Sequence, residues 1–194
     1  KIANQLKSML TKSQQKKIYF YCKKATEINY KKNSFDAVII IDTIDHLNKK
    51  EVEVMFEKIA NILKQDGTLF IKTCTNRILF EYVYRLYTYP MNRLLTWVDQ
   101  RVKRTTYEPL PKVSRTKEAR EQHINEPDYF SLKRLFRTYK FEGKIHSEVG
   151  CIKEEKGTRS TLYNFIIALY PFSKHFPLNI LFASSFFAII KNKK

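Results

Sequence analysis

The chain has 194 residues, 36 Lys+Arg against 19 Asp+Glu, and a formal net charge of +17. This length can bury a sizeable core in one domain, and 43% apolar residues with only four Gly exclude a low-complexity, disordered chain. The positive field draws phosphates, whether of nucleic acid or of an anionic membrane surface, without choosing between them. Cys22, Cys74 and Cys151 are odd in number, far apart and without a CxxC pair. They read as reduced, mostly buried thiols of a cytosolic protein, so neither a disulfide framework nor a structural zinc site is expected.

"KIANQLKSML" puts Ile2, Leu6, Met9 and Leu10 on one helical face and lacks an initiator Met. It reads as an amphipathic helix rather than a targeting segment, and a chain that opens mid-pattern suggests further residues upstream. Polar residues from Thr11 to Lys17 end that helix. "IYFYC", Ile18 to Cys22, is aromatic and β-branched and predicts a strand. After the turn "KKNS" comes "SFDAVIIIDTIDHL", Ser34 to Leu47. "AVIII" does not alternate, which is the habit of an interior parallel strand buried on both faces. Asn48 can cap a helix and Glu51 can complete the capping box. Val52, Met55, Phe56, Ile59, Ile62 and Leu63 then recur at helical spacing. "QDG", Gln65 to Gly67, stops the helix and "TLFIKTC" resumes as a strand. The unit is strand–helix–strand, with a right-handed crossover expected.

From Arg77 to Val102 the pattern is helical, rich in Tyr and Leu, and broken near Pro90. Residues 103–122 are charged and contain Pro109 and Pro111, which predicts an exposed connection. Pro127 and Asp128 start a helix carrying Phe130, Leu132, Leu135, Phe136 and Tyr139 on its apolar side. "FEGKIHSEV" and "SSFFAIIKNKK" predict two last strands. The tail "TLYNFIIALYPFSKHFPLNILFASSFFAII" is apolar, but Lys174, His175 and two prolines divide it. Its pieces fall short of the roughly 18 residues a membrane span needs, so core or interfacial packing is expected. Alternating helices and strands predict an α/β domain with a mostly parallel sheet.

Asn33 to Asn76, "NSFDAVIIIDTIDHLNKKEVEVMFEKIANILKQDGTLFIKTCTN", resembles the second half of a class I S-adenosylmethionine-dependent methyltransferase of the type 11 group. The resemblance rests on Phe35-Asp36 opening a strand, on Asp45-His46 after it, and on Leu63-Lys64-Gln65-Asp66-Gly67 before the next strand. "HINEPDYFSLKRLFRTYKF" resembles the family's segment after its insertion. The resemblance covers most of residues 18–142. It implies a Rossmann-like α/β sheet, incomplete at the N-terminus. Residues 1–76 and 123–194 would form the core, and residues 77–122 a helical and charged insertion serving as an acceptor lid. The family's Gly-rich loop and its ribose-binding acidic residue would lie upstream of Lys1, so the 194 residues alone are expected to bind the cofactor poorly.

What this implies for chemistry is S-adenosylmethionine bound outside the carboxyl ends of the strands, against Lys24, Ala25, Ile41, Asp42, Thr43 and His46. The family often has an Asp near the adenine amine where Lys24 stands. A Lys side chain accepts no hydrogen bond, which leaves the backbone at Ala25 for that task. Asp42 suits the cofactor's positive groups, although Asp42 and Asp45 also suit a turn cap. His46 either approaches the methyl donor or fixes its loop. His123 is the candidate catalytic residue, a base for an acceptor hydroxyl, with an ordinary surface histidine as the alternative. "RILFEYVYRLYTYPMNRLLTWVDQRV" implies an apolar pocket for a small or lipid-like acceptor, and the basic surface suits docking on an anionic membrane. No metal ion is expected. Two alternatives stay open: a nucleic-acid methyltransferase using Lys103 to Arg120 as a phosphate-binding arm, and a non-catalytic basic module on a degenerate methyltransferase fold.

Overall fold

A computed structural model describes residues 5, 7–103, 111–148, 172 and 175–193. Within them a short helix α1 (Lys12–Gln15) and a 3-10 turn (Ala25–Glu27) precede strand β1 (Phe35–Ile41). A second 3-10 turn (Ile44–His46), helix α2 (Lys49–Ile62) and strand β2 (Leu63–Thr73) follow. The insertion holds a wide π-type helix (Ile78–Thr88), then α3 (Tyr89–Lys103) and α4 (Lys117–Gln122). The chain closes with α5 (Tyr129–Thr138), β3 (Phe141–Glu148), α6 (Leu178–Leu181) and β4 (Ser185–Asn192).

Helix α2 starts where its sequence says it must. The Asn48 side chain accepts from the Glu51 N–H at 3.0 Å, and the Glu51 carboxylate accepts from the Asn48 N–H at 2.9 Å. Two of the four orphan donors of the first turn are thereby satisfied. Its apolar stripe, Val52, Met55, Phe56 and Ile59, is buried against Leu69 and Ile71 of β2 and Ala188 and Ile190 of β4. Phe56 is fully buried, with the rings of Phe136, Tyr139 and Phe141 at 6.2, 5.9 and 6.3 Å. Helix α5 adds Leu132 and Phe136 to this core and is capped by Asp128, whose Oδ1 accepts from the N–H groups of Phe130 and Ser131.

The sheet has the order β1-β2-β4-β3. Strands β1 and β2 are parallel, whereas β4 runs antiparallel to both β2 and β3. The expected mostly parallel sheet is therefore corrected: one of its pairings is parallel and two are antiparallel. Strand β4 lies between β2 and β3 and runs against both, so each of its ladders is antiparallel. The expectation that "AVIII" lies inside the sheet is corrected as well. Strand β1 is an edge strand among the described residues, and Ile39 and Ile41 are 67% and 60% exposed.

Other expectations also shift. Residues 18–22 form no strand, because a strand needs a neighbour to take its N–H and C=O groups, and none is paired there. Helix α2 ends at Ile62 and runs straight into β2, so Gln65–Gly67 lie inside the strand as an irregularity opposite Asp36, with Asp66 at φ 57°. Pro90 does not break the insertion helix. It sits in the first turn of α3, where π-type winding gives way to α-type, and there its missing N–H is tolerated. The connection 103–122 contains α4, capped by Thr116. Val149, Cys151, Lys174 and most of the apolar tail lie outside the described residues, as do Ile2 and Leu6. No described helix is long and apolar enough to cross a membrane.

Candidate functional site

Strand β1 stops at Ile41 and the chain turns at once. Asp42 takes a left-handed backbone, φ 46°, a conformation that a short polar residue tolerates better than most. Its N–H still donates to the Lys72 carbonyl at 3.0 Å, so the parallel ladder extends one residue into the turn. The Thr43 hydroxyl donates back to the Ile41 carbonyl at 2.9 Å. One 3-10 turn then buries Ile44 and Asp45, each 1% exposed, and leaves His46 half-exposed.

Asp45 is the hub of this loop. Its Oδ2 accepts the Nδ1–H of His123 at 2.9 Å. Its backbone carbonyl accepts the Asn125 N–H at 3.1 Å, and the Asn125 side chain donates to the Ile44 carbonyl at 3.3 Å. The Nδ1 of His46 lies 2.8 Å from the Gln122 carbonyl. A carbonyl only accepts, so this Nδ1 carries the proton. The two imidazoles stack with centroids 4.9 Å apart and planes 29° apart. Gln122, His123 and Asn125, at the return of the insertion, are thus stitched to Ile44, Asp45 and His46. The other carboxylate oxygen, Asp45 Oδ1, is buried and has no hydrogen-bond partner among the described residues.

A second carboxylate acts nearby. The Asp42 side chain accepts the S–H of Cys74, the first residue past β2, and with desolvation pushes that thiol up to about 11. Asp42 and Asp45 both bear on Cys74, which places two negative charges at the carboxyl end of the parallel pair.

Of the residues expected from the sequence, Ile41, Asp42, Thr43 and His46 are consecutive or nearly so on this tip, and His123 joins them. Lys24 and Ala25 sit at the start of the 3-10 turn, where the Lys24 N–H donates to Glu27 Oε2 at 3.4 Å and Ala25 packs against the core. Among the described residues no hydrogen bond or ion pair joins them to the loop. Three residues escaped the sequence reading. Asp45 was offered as a turn cap and instead holds His123, since Asn48 supplies the cap. Asn125 and Cys74 carry no local signal beyond their residue type.

An acidic, histidine-bearing loop thus closes the carboxyl end of the parallel strand pair, and the insertion returns to that loop. Residues 2–71 match the family model described as "Methyltransferase domain". The fold is similar to that of a candidate methyltransferase of Bacillus halodurans C-125, at 10% identity and TM-score 0.50, over 92% of this chain and 79% of that one. Two further structures resemble it less. An S-adenosylmethionine-dependent methyltransferase of Methanosarcina mazei gives TM-score 0.43 at 14% identity, over 87% of this chain and 64% of that one. Phosphoethanolamine N-methyltransferase 2 of Haemonchus contortus, in complex with S-adenosylmethionine, gives TM-score 0.46 at 16% identity, over 86% and 35%. The chain thus spans less than two thirds of the length of these last two. No curated protein sequence matches the chain.

Proposed function

We propose that the protein transfers the methyl group of S-adenosylmethionine to a small or lipophilic acceptor, at oxygen or carbon. The observation that carries this reading is the methyltransferase-family pattern over residues 2–71, which contains the loop bearing Asp42, Asp45 and His46, against which His123 packs. When bound, the cofactor supplies an electrophilic methyl on a positive sulfonium. The residues present fit such a group: the exposed Asp42 carboxylate offers negative charge, and the exposed Ile41 offers apolar surface for the adenine. Lys24 offers no acceptor to the adenine amine, so the backbone at Ala25 takes that contact.

Asp45 fixes the direction of the proton. Its carboxylate takes the Nδ1–H of His123, which leaves Nε2 of the neutral ring as a lone pair. His123 Nε2 accepts the hydroxyl proton of the acceptor as the new bond to carbon forms, and Asp45 orients the ring and offsets its charge. His46, bonded to the Gln122 carbonyl, holds the loop.

The insertion, residues 77–122, serves as the acceptor lid. Tyr82, Leu86, Leu94 and Trp97 are all more than half exposed on it, an apolar lining suited to a lipid-like acceptor. The Arg101 guanidinium lies 4.5 Å from the Trp97 ring centroid, and this pairing of cation and aromatic suits a membrane interface with anionic lipids.

The test is a titration of S-adenosylmethionine into isotope-labelled protein, followed through backbone amide resonances. This readout works for weak binding. Shifts at Ala25, Ile41 and Thr43, abolished in Asp42→Asn, are expected. An unchanged spectrum at millimolar cofactor would overturn the proposal.

A further inference from the structure

We propose that Asp45, His46 and His123 form a binding site for a divalent transition-metal ion, of which Zn2+ is the best match. One ligand atom from each residue lies within 4.8 Å of the others. The separations already approach those of a coordination shell. Asp45 Oδ2 is 2.9 Å from His123 Nδ1 and 3.7 Å from His46 Nε2. Around a tetrahedral Zn2+ with bonds of about 2.0–2.2 Å, two ligand atoms lie roughly 3.4 Å apart. The measured pairs bracket that figure.

Lone pairs point the same way. The Nδ1–H of His46 is committed to the Gln122 carbonyl, so a neutral His46 turns a bare Nε2 toward the Asp45 carboxylate. This is the arrangement by which metal-bound histidines are held, with the second nitrogen donating to a backbone carbonyl. Asp45 Oδ1 is buried beside it without a partner. Among the described residues, three acceptor atoms, Asp45 Oδ1, Asp45 Oδ2 and His46 Nε2, thus share a single donated hydrogen, that of His123. A buried carboxylate so poorly matched is costly, and a cation among these atoms satisfies all of them at once. Asp42 adds negative potential at the same tip, and the half-exposed His46 leaves the position open to solvent.

Two imidazoles and a carboxylate suit Zn2+, Co2+ or Fe2+ better than the all-oxygen preference of Mg2+. Coordination through Nδ1 requires the other neutral tautomer of His123: Nδ1 gives up its proton to solvent and Nε2 takes one up, so the ring stays neutral with its proton on Nε2. A metal-bound His123 therefore presents no lone pair to an acceptor, so ion occupancy and proton acceptance at this residue exclude one another. The site also binds the return of the insertion to the strand tip through an ion in place of a hydrogen bond.

Calorimetric titration of Zn2+ into the metal-free protein tests this without reference to the cofactor or to methyl transfer. One ion per chain is expected. His46→Gln and His123→Gln should each weaken binding by at least about tenfold, while His146→Gln, in β3, leaves it unchanged. Co2+ should give the visible absorption of a low-symmetry nitrogen and oxygen site, and Zn2+ should bleach it. His46 is half-exposed, so its substitution leaves the fold intact and its result stands even if the His123 variant misfolds. Absence of saturable Zn2+ binding, or binding indifferent to His46→Gln, overturns the proposal.

Discussion

Strands β1 and β4 look alike in sequence and live in different surroundings. "FDAVIII" and "SFFAIIKN" are both dense in large apolar residues. Strand β4 is paired on both sides, and its residues alternate cleanly between core and surface, with Phe186, Ala188, Ile190 and Asn192 buried. Asn192 Nδ2 even donates to the carbonyls of Ala60, Leu63 and Lys64, anchoring the strand's end to the α2–β2 junction. Among the described residues strand β1 is paired on one side alone, and it buries only Ile40 fully. A greasy run reports that a segment fits a sheet. Its place within the sheet is decided by which other segments are there to pair with it.

The comparison breaks most easily at β4. Ile190→Ala removes a side chain held between α2 and the sheet, and should lower unfolding free energy by about 2–5 kcal/mol, measured by urea denaturation. A loss under about 1 kcal/mol would show that β4 is no better packed than an edge. Two adjacent residues of β1 test its other half. Ile40→Ala should cost about 2–3 kcal/mol, toward the lower end because an edge relaxes more readily. Ile39→Ala should stay within about 0.5 kcal/mol, as surface substitutions do. Equal effects at the two positions would mean that the outer face of β1 is covered.

Hydrogen exchange sharpens the same contrast along the backbone. The Asp42 N–H points to β2, so by the alternation of a parallel ladder those of Val38 and Ile40 do too, while Ile39 and Ile41 point away. The Ile39 and Ile41 amides should exchange at nearly unprotected rates, and Leu69 and Ile71 should approach the limit set by global unfolding. Slow exchange at Ile39 would reveal a partner on the open edge.

These contrasts mark what was legible in the sequence. The start of helix α2 was readable to the residue because its signals are local, Asn48, Glu51 and an apolar stripe within one segment, whereas its end at Ile62 was not, since Leu63 to Gly67 entered the strand instead. Helix α5, capped at Asp128, and strands β3 and β4 were readable for the same reason. "IYFYC" was not, since β-propensity describes a side chain's suitability for a sheet and supplies no neighbour. The site was half legible. Asp42, Thr43 and His46 follow from the rule that ligands gather at strand carboxyl ends. The Asp45–His123 hydrogen bond joins residues 78 apart, and no periodicity or spacing rule reaches that far. The expectation of no metal ion rested on the lack of closely spaced cysteine pairs, a local signal that says nothing of residues brought together from so far apart.

The smallest expected effect concerns Cys74, at the point where β1 hands its acidic tip to the end of β2. The Asp42 carboxylate accepts the Cys74 S–H, and this hydrogen bond is the first cause of the rise of the thiol to about 11, ahead of desolvation and the Asp42 charge. The sign follows directly. A negative neighbour opposes a second negative charge, so the protonated thiol is favoured in the folded state, and stability contributed by this pair is lost only as pH climbs from 9.0 through about 11. Contrary to the expectation of buried thiols, Cys74 and Cys22 are exposed, so little folding energy is at stake and the effect appears in reactivity. At pH 9 the wild-type thiol should alkylate slowly with iodoacetamide despite its exposure. Asp42→Asn should bring the rate toward that of Cys22, the other described free cysteine, with no change in the urea midpoint beyond about 0.5 kcal/mol. If Cys74 reacts as fast as Cys22 before any substitution, Asp42 does not face β2, and the negative tip assigned to the cofactor loses one of its two charges.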